Sequence, residues 1–261
     1  MSNVIKKPNE GMVKASTFLC VLFSLITLQA LAQNEAITEA QLMYRKRIQL
    51  GMNLNSSGLG GINFKYGWQK TGTRKNMLDI EFSRIRHPKE TRIYSGQSET
   101  PNQYTLGRLN MLFSLRTGYG QTIFITERPY KNAIQLNFNY TLGLSTAILK
   151  PIYLDIIYNN PDTYGRYVVP ERYDPVKHEN TSFIYGNASF FQGISNTAFQ
   201  FGAYGKASLS IEWGEFPDEF HTVEAGMALD VFPNPLPLMA YQPKTFYLVN
   251  LFIGYQFGWN K

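Results

Sequence analysis

From residue 47 onward the chain alternates apolar and polar side chains in eight separate stretches. A period of two predicts an extended strand with unlike faces, because successive side chains leave opposite sides of the pleat. In 47–55, Ile48, Leu50, Met52 and Leu54 oppose Gln49, Gly51 and Asn53. In 61–70, Ile62, Phe64, Tyr66 and Trp68 oppose Asn63, Lys65, Gly67 and Gln69, and in 76–86, Leu78, Ile80 and Phe82 oppose Asp79, Glu81 and Ser83. In 104–118, Leu109, Met111, Phe113 and Leu115 oppose Arg108, Asn110, Ser114 and Arg116. The pattern is longest in 133–149, where Ile134, Leu136, Phe138, Tyr140, Leu142 and Leu144 face away from Gln135, Asn137, Asn139, Thr141 and Ser145. Stretches 198–213, 221–232 and 245–259 complete the set, with Lys206 and Glu212, Glu224 and Asp230, and Asn250 and Gln256 on their polar faces. Strand character in 121–127 and 183–191 would raise the count to ten.

A soluble β-sandwich or lipocalin-like barrel would also alternate. Two features favour a barrel in lipid. The apolar faces carry large side chains almost without interruption, and the opposite faces mix charges of both signs with Gly, Ser and Asn. The expected fold is therefore all-β: a transmembrane antiparallel up-and-down barrel of about eight strands, apolar outside and polar inside. The inward charges would be Lys65, Arg108, Arg116 and Lys206 against Asp79, Glu81, Glu212, Glu224 and Asp230. An eight-stranded interior is just wide enough for side chains to fill, and buried ions need partners. A filled lumen with an internal salt-bridge network is expected, with a gated polar path as the alternative.

Loop lengths agree with this topology. With both barrel ends in the periplasm, the outer connections would be 56–60, 87–103, 150–197 and 233–244, and the inner ones 71–75, 119–132 and 214–220. Bacterial barrels have long outer loops and short inner turns. Trp68, Trp213 and Trp259 all fall at inner strand ends, where amphipathic rings settle at the membrane interface. Loop 150–197 is too long to be idle and rich in aromatics that suit an interface. Its candidate contact residues are Tyr158, Tyr164, Tyr167, Tyr173, Phe190 and Phe191, the last two folding over the barrel mouth or meeting a partner. Pro233, Pro235 and Pro237 would stiffen the last outer loop.

The N-terminus carries a different pattern. Lys14, an apolar run over 17–28 and the small-x-small Ala30-Leu31-Ala32 read as a secretory signal cleaved after Ala32. Either Met1 or Met12 serves as the start. The expected organisation is a signal peptide over 1–32, a short periplasmic segment over 33–46 and the barrel over 47–261. The single cysteine, Cys20, lies in the signal, so the mature chain would hold no disulfide, thiolate metal site or cysteine nucleophile.

Composition narrows the functional classes. Aromatics make up 15% of the chain and charged residues only 17%, against ~25% charged in an average soluble domain. The net charge of +6 is scattered rather than arranged in a basic stripe, which argues against nucleic-acid binding. The one basic run, Arg45-Lys46-Arg47, reads as a solvated terminal segment.

Several stretches resemble a family of small outer-membrane barrels from Bacteroidota. They are Leu112-Phe-Ser-Leu-Arg-Thr-Gly-Tyr-Gly120, Gly143-Leu-Ser-Thr-Ala-Ile-Leu-Lys-Pro-Ile-Tyr-Leu154, Ala188-Ser-Phe-Phe-Gln-Gly-Ile194, Asp230-Val-Phe-Pro-Asn-Pro-Leu-Pro-Leu-Met-Ala240 and Ile253-Gly-Tyr-Gln-Phe-Gly258. The resemblance implies a small outer-membrane barrel and brings no catalytic residues.

Candidate chemistry is sparse. The three histidines, His87, His178 and His221, show no metal-ligand spacing, and no cofactor is expected. His87 and His178, with Ser95 or Asp174, are the only residues that could serve a lipid-directed enzyme at the outer rim. Three readings follow. The first is a non-enzymatic structural or accessory subunit of an envelope complex that presents its outer loops to a protein partner. The second is a small-solute channel, and the third a lipid-modifying enzyme. The expected partners are outer-membrane lipid, the assembly machinery that inserts barrels, and an envelope protein.

Overall fold

The computed structural model describes residues 46–95, 102–126, 134–159, 165–214 and 219–260. The signal segment, most of 33–46 and Tyr164 lie outside these residues.

Strands β1 (Lys46–Asn55), β2 (Gly58–Thr71) and β3 (Arg74–Ile85) follow one another as hairpins. A small separate hairpin, β4 (Arg92–Tyr94) with β5 (Gln103–Thr105), comes next. The long strands β6 (Asn110–Phe124) and β7 (Gln135–Pro151) return to the main sheet. The chain then builds a three-stranded sheet from β8 (Tyr153–Asn159), β9 (Arg166–Arg172) and β10 (Ile184–Asn187), in the order β10-β8-β9. It re-enters the main sheet as β11 (Ala198–Trp213), β12 (Glu219–Leu236) and β13 (Thr245–Asn260).

Eight strands close on themselves in the order β1-β13-β12-β11-β7-β6-β3-β2. Ile48 of β1 lies opposite Tyr66 of β2 on one side and Trp259 of β13 on the other, so the ladder has no free edge. All neighbouring pairs are antiparallel.

The faces sort as the alternation requires. Met52, Leu142, Leu144 and Phe201 are each about 70% exposed, while Asp79, Ser145 and Asp230 are fully buried. Apolar side chains cover the outside of every barrel strand. Such a belt far exceeds the few hundred Å² that a soluble monomer exposes, and it suits hydrocarbon. The fold is a transmembrane antiparallel β-barrel of eight strands.

Four sequence expectations are corrected. The fourth barrel strand runs over 110–124, not 104–118. Residues 103–105 pair instead with β4, and Phe124 extends the ladder into what the sequence placed in an inner connection. The segment read as an outer connection over 150–197 is a folded cap: it carries the β8–β10 sheet over an apolar core of Tyr104, Ile152, Leu154, Ile156, Tyr173 and Ile184. The proline segment does not only stiffen a loop. β12 runs through Pro233 and Pro235, and its end delivers Leu236 and Leu238 into the barrel mouth. Phe190, finally, does not cover that mouth. It packs edge-on against outward-facing Phe113, ring centroids 6.4 Å apart, on the flank of the barrel.

Candidate functional site

The barrel interior is stacked in three layers. The middle one is ionic. Arg116 of β6 spans the interior, its Nε and Nη2 donating to both carboxylate oxygens of Asp230 at 2.9 and 2.5 Å and its Nη1 to Glu81 at 2.7 Å. Lys206 of β11 donates to the same Glu81 at 2.9 Å and to Asp79 at 3.1 Å. Asn53 adds a bond to Glu81 at 3.1 Å. Lys65 pairs with Glu224, which also accepts from Ser208 and Gln256. These residues come from seven of the eight barrel strands, so the network ties together segments distant in sequence.

Arg108 does not belong to this layer. It precedes β6, forms an isolated bridge to Met239 and lies 3.5 Å from Glu90 at the loop-rich end. Its place is taken by two cations that sequence reading assigned no interior role. Arg47 makes a bidentate bond to Glu212, 2.7 Å on each arm, and covers the Phe220 ring at 3.8 Å. Lys75 lines the same interior space. Arg47 is thus buried rather than part of a solvated run. Among the described residues, five interior carboxylates (Asp79, Glu81, Glu212, Glu224, Asp230) pair with four cations (Arg47, Lys65, Arg116, Lys206), and Lys75 lines the gap beside Glu212. Arg47, Glu212 and the buried Phe220 form the layer at the end carrying the barrel termini. The third layer, at the loop-rich end, is apolar: Ile85, Leu112, Ala147, Leu149, Phe232, Leu236 and Leu238 pack together across the mouth.

Aromatic rings fill the remaining space. Tyr204 points inward, and Gly118 makes room for it: a Cβ at Gly118 would stand 2.8 Å from the Tyr204 ring. Phe252 lies under the Lys206 ammonium at 4.6 Å. The gap lined by Arg47, Lys75, Glu212 and Gln256 measures about 20 Å³, room for about one water.

Trp68, Trp213 and Trp259 all face outward at the terminus-bearing end. Trp68 packs on Tyr119 at 6.0 Å, while Trp213, His221, Tyr255, Phe257 and Trp259 form a continuous ring cluster. His221 Nδ1 is 2.7 Å from the Tyr255 hydroxyl.

No protein-family model matches this chain, and no curated protein matches it in sequence. Among solved structures it is similar to neisserial surface protein A, at 7% identity over 84% of this chain and 97% of that one, with a TM-score of 0.39. It is also similar to the N-terminal β-barrel domain of Pseudomonas aeruginosa OprF, at 12% identity over 84% and 98%, with a TM-score of 0.32. The barrel is established by this chain's own ladder of strand pairs.

The loop-end sheet carries the remaining candidates. Tyr158 and Tyr167 stack across β8 and β9 at 5.8 Å. Tyr173 is buried in the cap core, whereas Tyr167, Phe190 and especially Phe191 are exposed. Glu171 accepts from the Tyr158 hydroxyl at 2.6 Å and from Lys177. Those two donors hold the Glu171 carboxyl below its ordinary range. His178 stacks on Tyr173, and its Nδ1 accepts from the Asp174 backbone N–H at 3.0 Å. The Asp174 carboxylate itself accepts from Val176 N–H, so it does not orient the ring. His87 Nδ1 accepts from Lys89 N–H at 3.2 Å, and the Ser95 hydroxyl donates to the Ile184 carbonyl. The His87, His178 and Asp174 contacts are local to their loops, whereas Ser95 ties the β4–β5 hairpin to β10.

Proposed function

We propose that the protein is a non-enzymatic outer-membrane barrel that acts as a structural or accessory subunit of an envelope complex, with its loop-end cap as the docking element. In this reading residues 1–32 are removed after Ala32, and the aromatic run ending at Trp259 is read by the barrel-assembly machinery. The observation that carries the proposal is the folded cap. A chain that needed only to close a barrel would not build a second sheet with its own core. Strand β9 forms an edge of that sheet and exposes Tyr167 and Val168, and Phe191, shortly after β10, stands 77% exposed. An open edge with aromatics suits a protein partner that adds a strand or buries rings. The filled lumen leaves no room for solute passage, and the loop histidines are engaged in local structure rather than in a nucleophile–base pair.

The cap can be removed cleanly. Ala188 N–H donates to the Tyr153 carbonyl at 3.1 Å, so the two ends of the insertion are already adjacent. Replacing 154–187 with a short Gly-Ser linker should leave a barrel that still shifts on heating in detergent gels. After gentle extraction, the intact protein should migrate with an envelope protein and the excised form alone. Migration of the intact protein as a lone barrel would overturn the proposal.

A further inference from the structure

The loop-rich end holds a concentration of cations that the ionic lumen does not use. A pocket of about 320 Å³ is lined by Ser56, Ser57, Arg86, His87, Glu90 and Arg92, among others. Beside Glu90 lies the Arg108 guanidinium, 3.5 Å away and only 6% exposed. Its Nε and Nη2 have no hydrogen-bond acceptor among the described residues. Arg84, Arg86 and Arg92 surround it closely enough to act on its charge, and together with burial they push the guanidinium below its ordinary range. Lys150 is also buried within electrostatic reach, its ammonium over the Phe190 ring at 5.1 Å.

Among the described residues, Glu90 is thus the single carboxylate that acts on Arg108, amid four guanidinium groups and an ammonium. It is already shared with the His87 backbone N–H at 3.3 Å. A buried cation with idle donors is costly unless an anion completes it. The planar fork of arginine matches the oxygens of phosphate. Location adds a second constraint. Arg84 follows outward-facing Phe82 on β3, so this member of the cluster stands on the lipid-facing side, just beyond the apolar belt. That is the level of lipid headgroups.

We infer that the cluster of Arg84, Arg86, Arg92 and Arg108 around Glu90 is an anion site that takes a phosphate monoester, carried by a membrane lipid headgroup or free in solution. The guanidinium groups, from buried Arg108 out to exposed Arg92, clamp the phosphate oxygens, and Ser56 and Ser57 edge the pocket. This site is independent of the cap's docking role, since its residues lie outside 154–187.

The test uses the full-length protein, purified and delipidated in neutral detergent. Native mass spectrometry follows retention of phosphatidic acid, which carries a phosphate monoester, against phosphatidylcholine. Calorimetry with inorganic phosphate forms a second arm. Arg108→Gln and Arg86→Gln should each weaken phosphatidic acid retention by about tenfold or more, whereas Lys70→Gln, at the opposite end of the barrel, should leave it unchanged. Arg86 and Arg92 are not buried, so R86Q and R92Q keep the test open if R108Q does not fold, as heat-modifiable migration would reveal. Retention of phosphatidic acid that these variants lose assigns the lipid source. Binding of inorganic phosphate alone, lost in the same variants, assigns the soluble source. Binding of neither probe, or binding that the arginine variants leave unchanged, overturns the site.

Discussion

Arg116 shows what a single interior residue does here. It satisfies Asp230 with two bonds and Glu81 with one, and its side chain is 1% exposed. Replacing a buried pair by apolar groups is often neutral, but deleting one partner leaves the other charge stranded. Arg116→Met should therefore cost about 3–5 kcal/mol, measured by urea unfolding in lipid vesicles with tryptophan fluorescence. The double variant Arg116→Met with Asp230→Asn should be less damaging than the sum of the two, with a coupling of about 1–3 kcal/mol. Glu81 then still has Lys206, so the double variant removes the stranded charge rather than moving it. Additive effects would mean that the interior is wet enough to screen the pair.

The elements differ in how they respond to pH. In the cap, Glu171 joins β9 to Tyr158 of β8 and to Lys177, and these donors depress its carboxyl. A depressed carboxyl contributes its stability above the ordinary carboxylate value of ~4.3, and loses it as pH falls through the lower folded value. Amide exchange in β8 and β9, corrected for the intrinsic rate, should accelerate below about pH 4. Glu171→Gln should remove that dependence, and a pH-flat wild type would show that the clamp carries no weight. This element also marks the limit of what alternation reveals. The barrel strands were legible because a lipid face and a lumen face impose unlike chemistry on every second residue. None of Arg166–Arg172 is buried, so this edge strand has no core face to impose such a contrast. Arg47 was misread for a related reason: a basic triplet at a strand start looks solvated until its partner, Glu212, 165 residues away in sequence, is placed beside it. Tyr204 hid in the small-residue run Gly202-Ala203-Tyr204-Gly205, although its parity with Lys206 pointed it inward.

At the scale of the whole molecule, the three interior layers lie in series, and this decides whether the barrel can conduct. The apolar mouth, the ionic middle and the Arg47–Phe220 layer would each have to open for an ion to cross. Removing one leaves the other two. Purified protein in planar bilayers should therefore give no unitary current steps. Leu238→Ala alone, or Tyr204→Ala alone, should stay silent, although each leaves a void. Conductance should appear only when the layers are breached together, by Leu236→Ala and Leu238→Ala at the mouth, Tyr204→Ala in the middle and Phe220→Ala at the far end. Steps from the wild-type barrel would reverse the functional reading, because a conducting lumen makes the cap a gate rather than a docking element. Silence from the combined variant would place the seal in the ion pairs themselves, whose mutual attraction would then close the lumen without help from the rings.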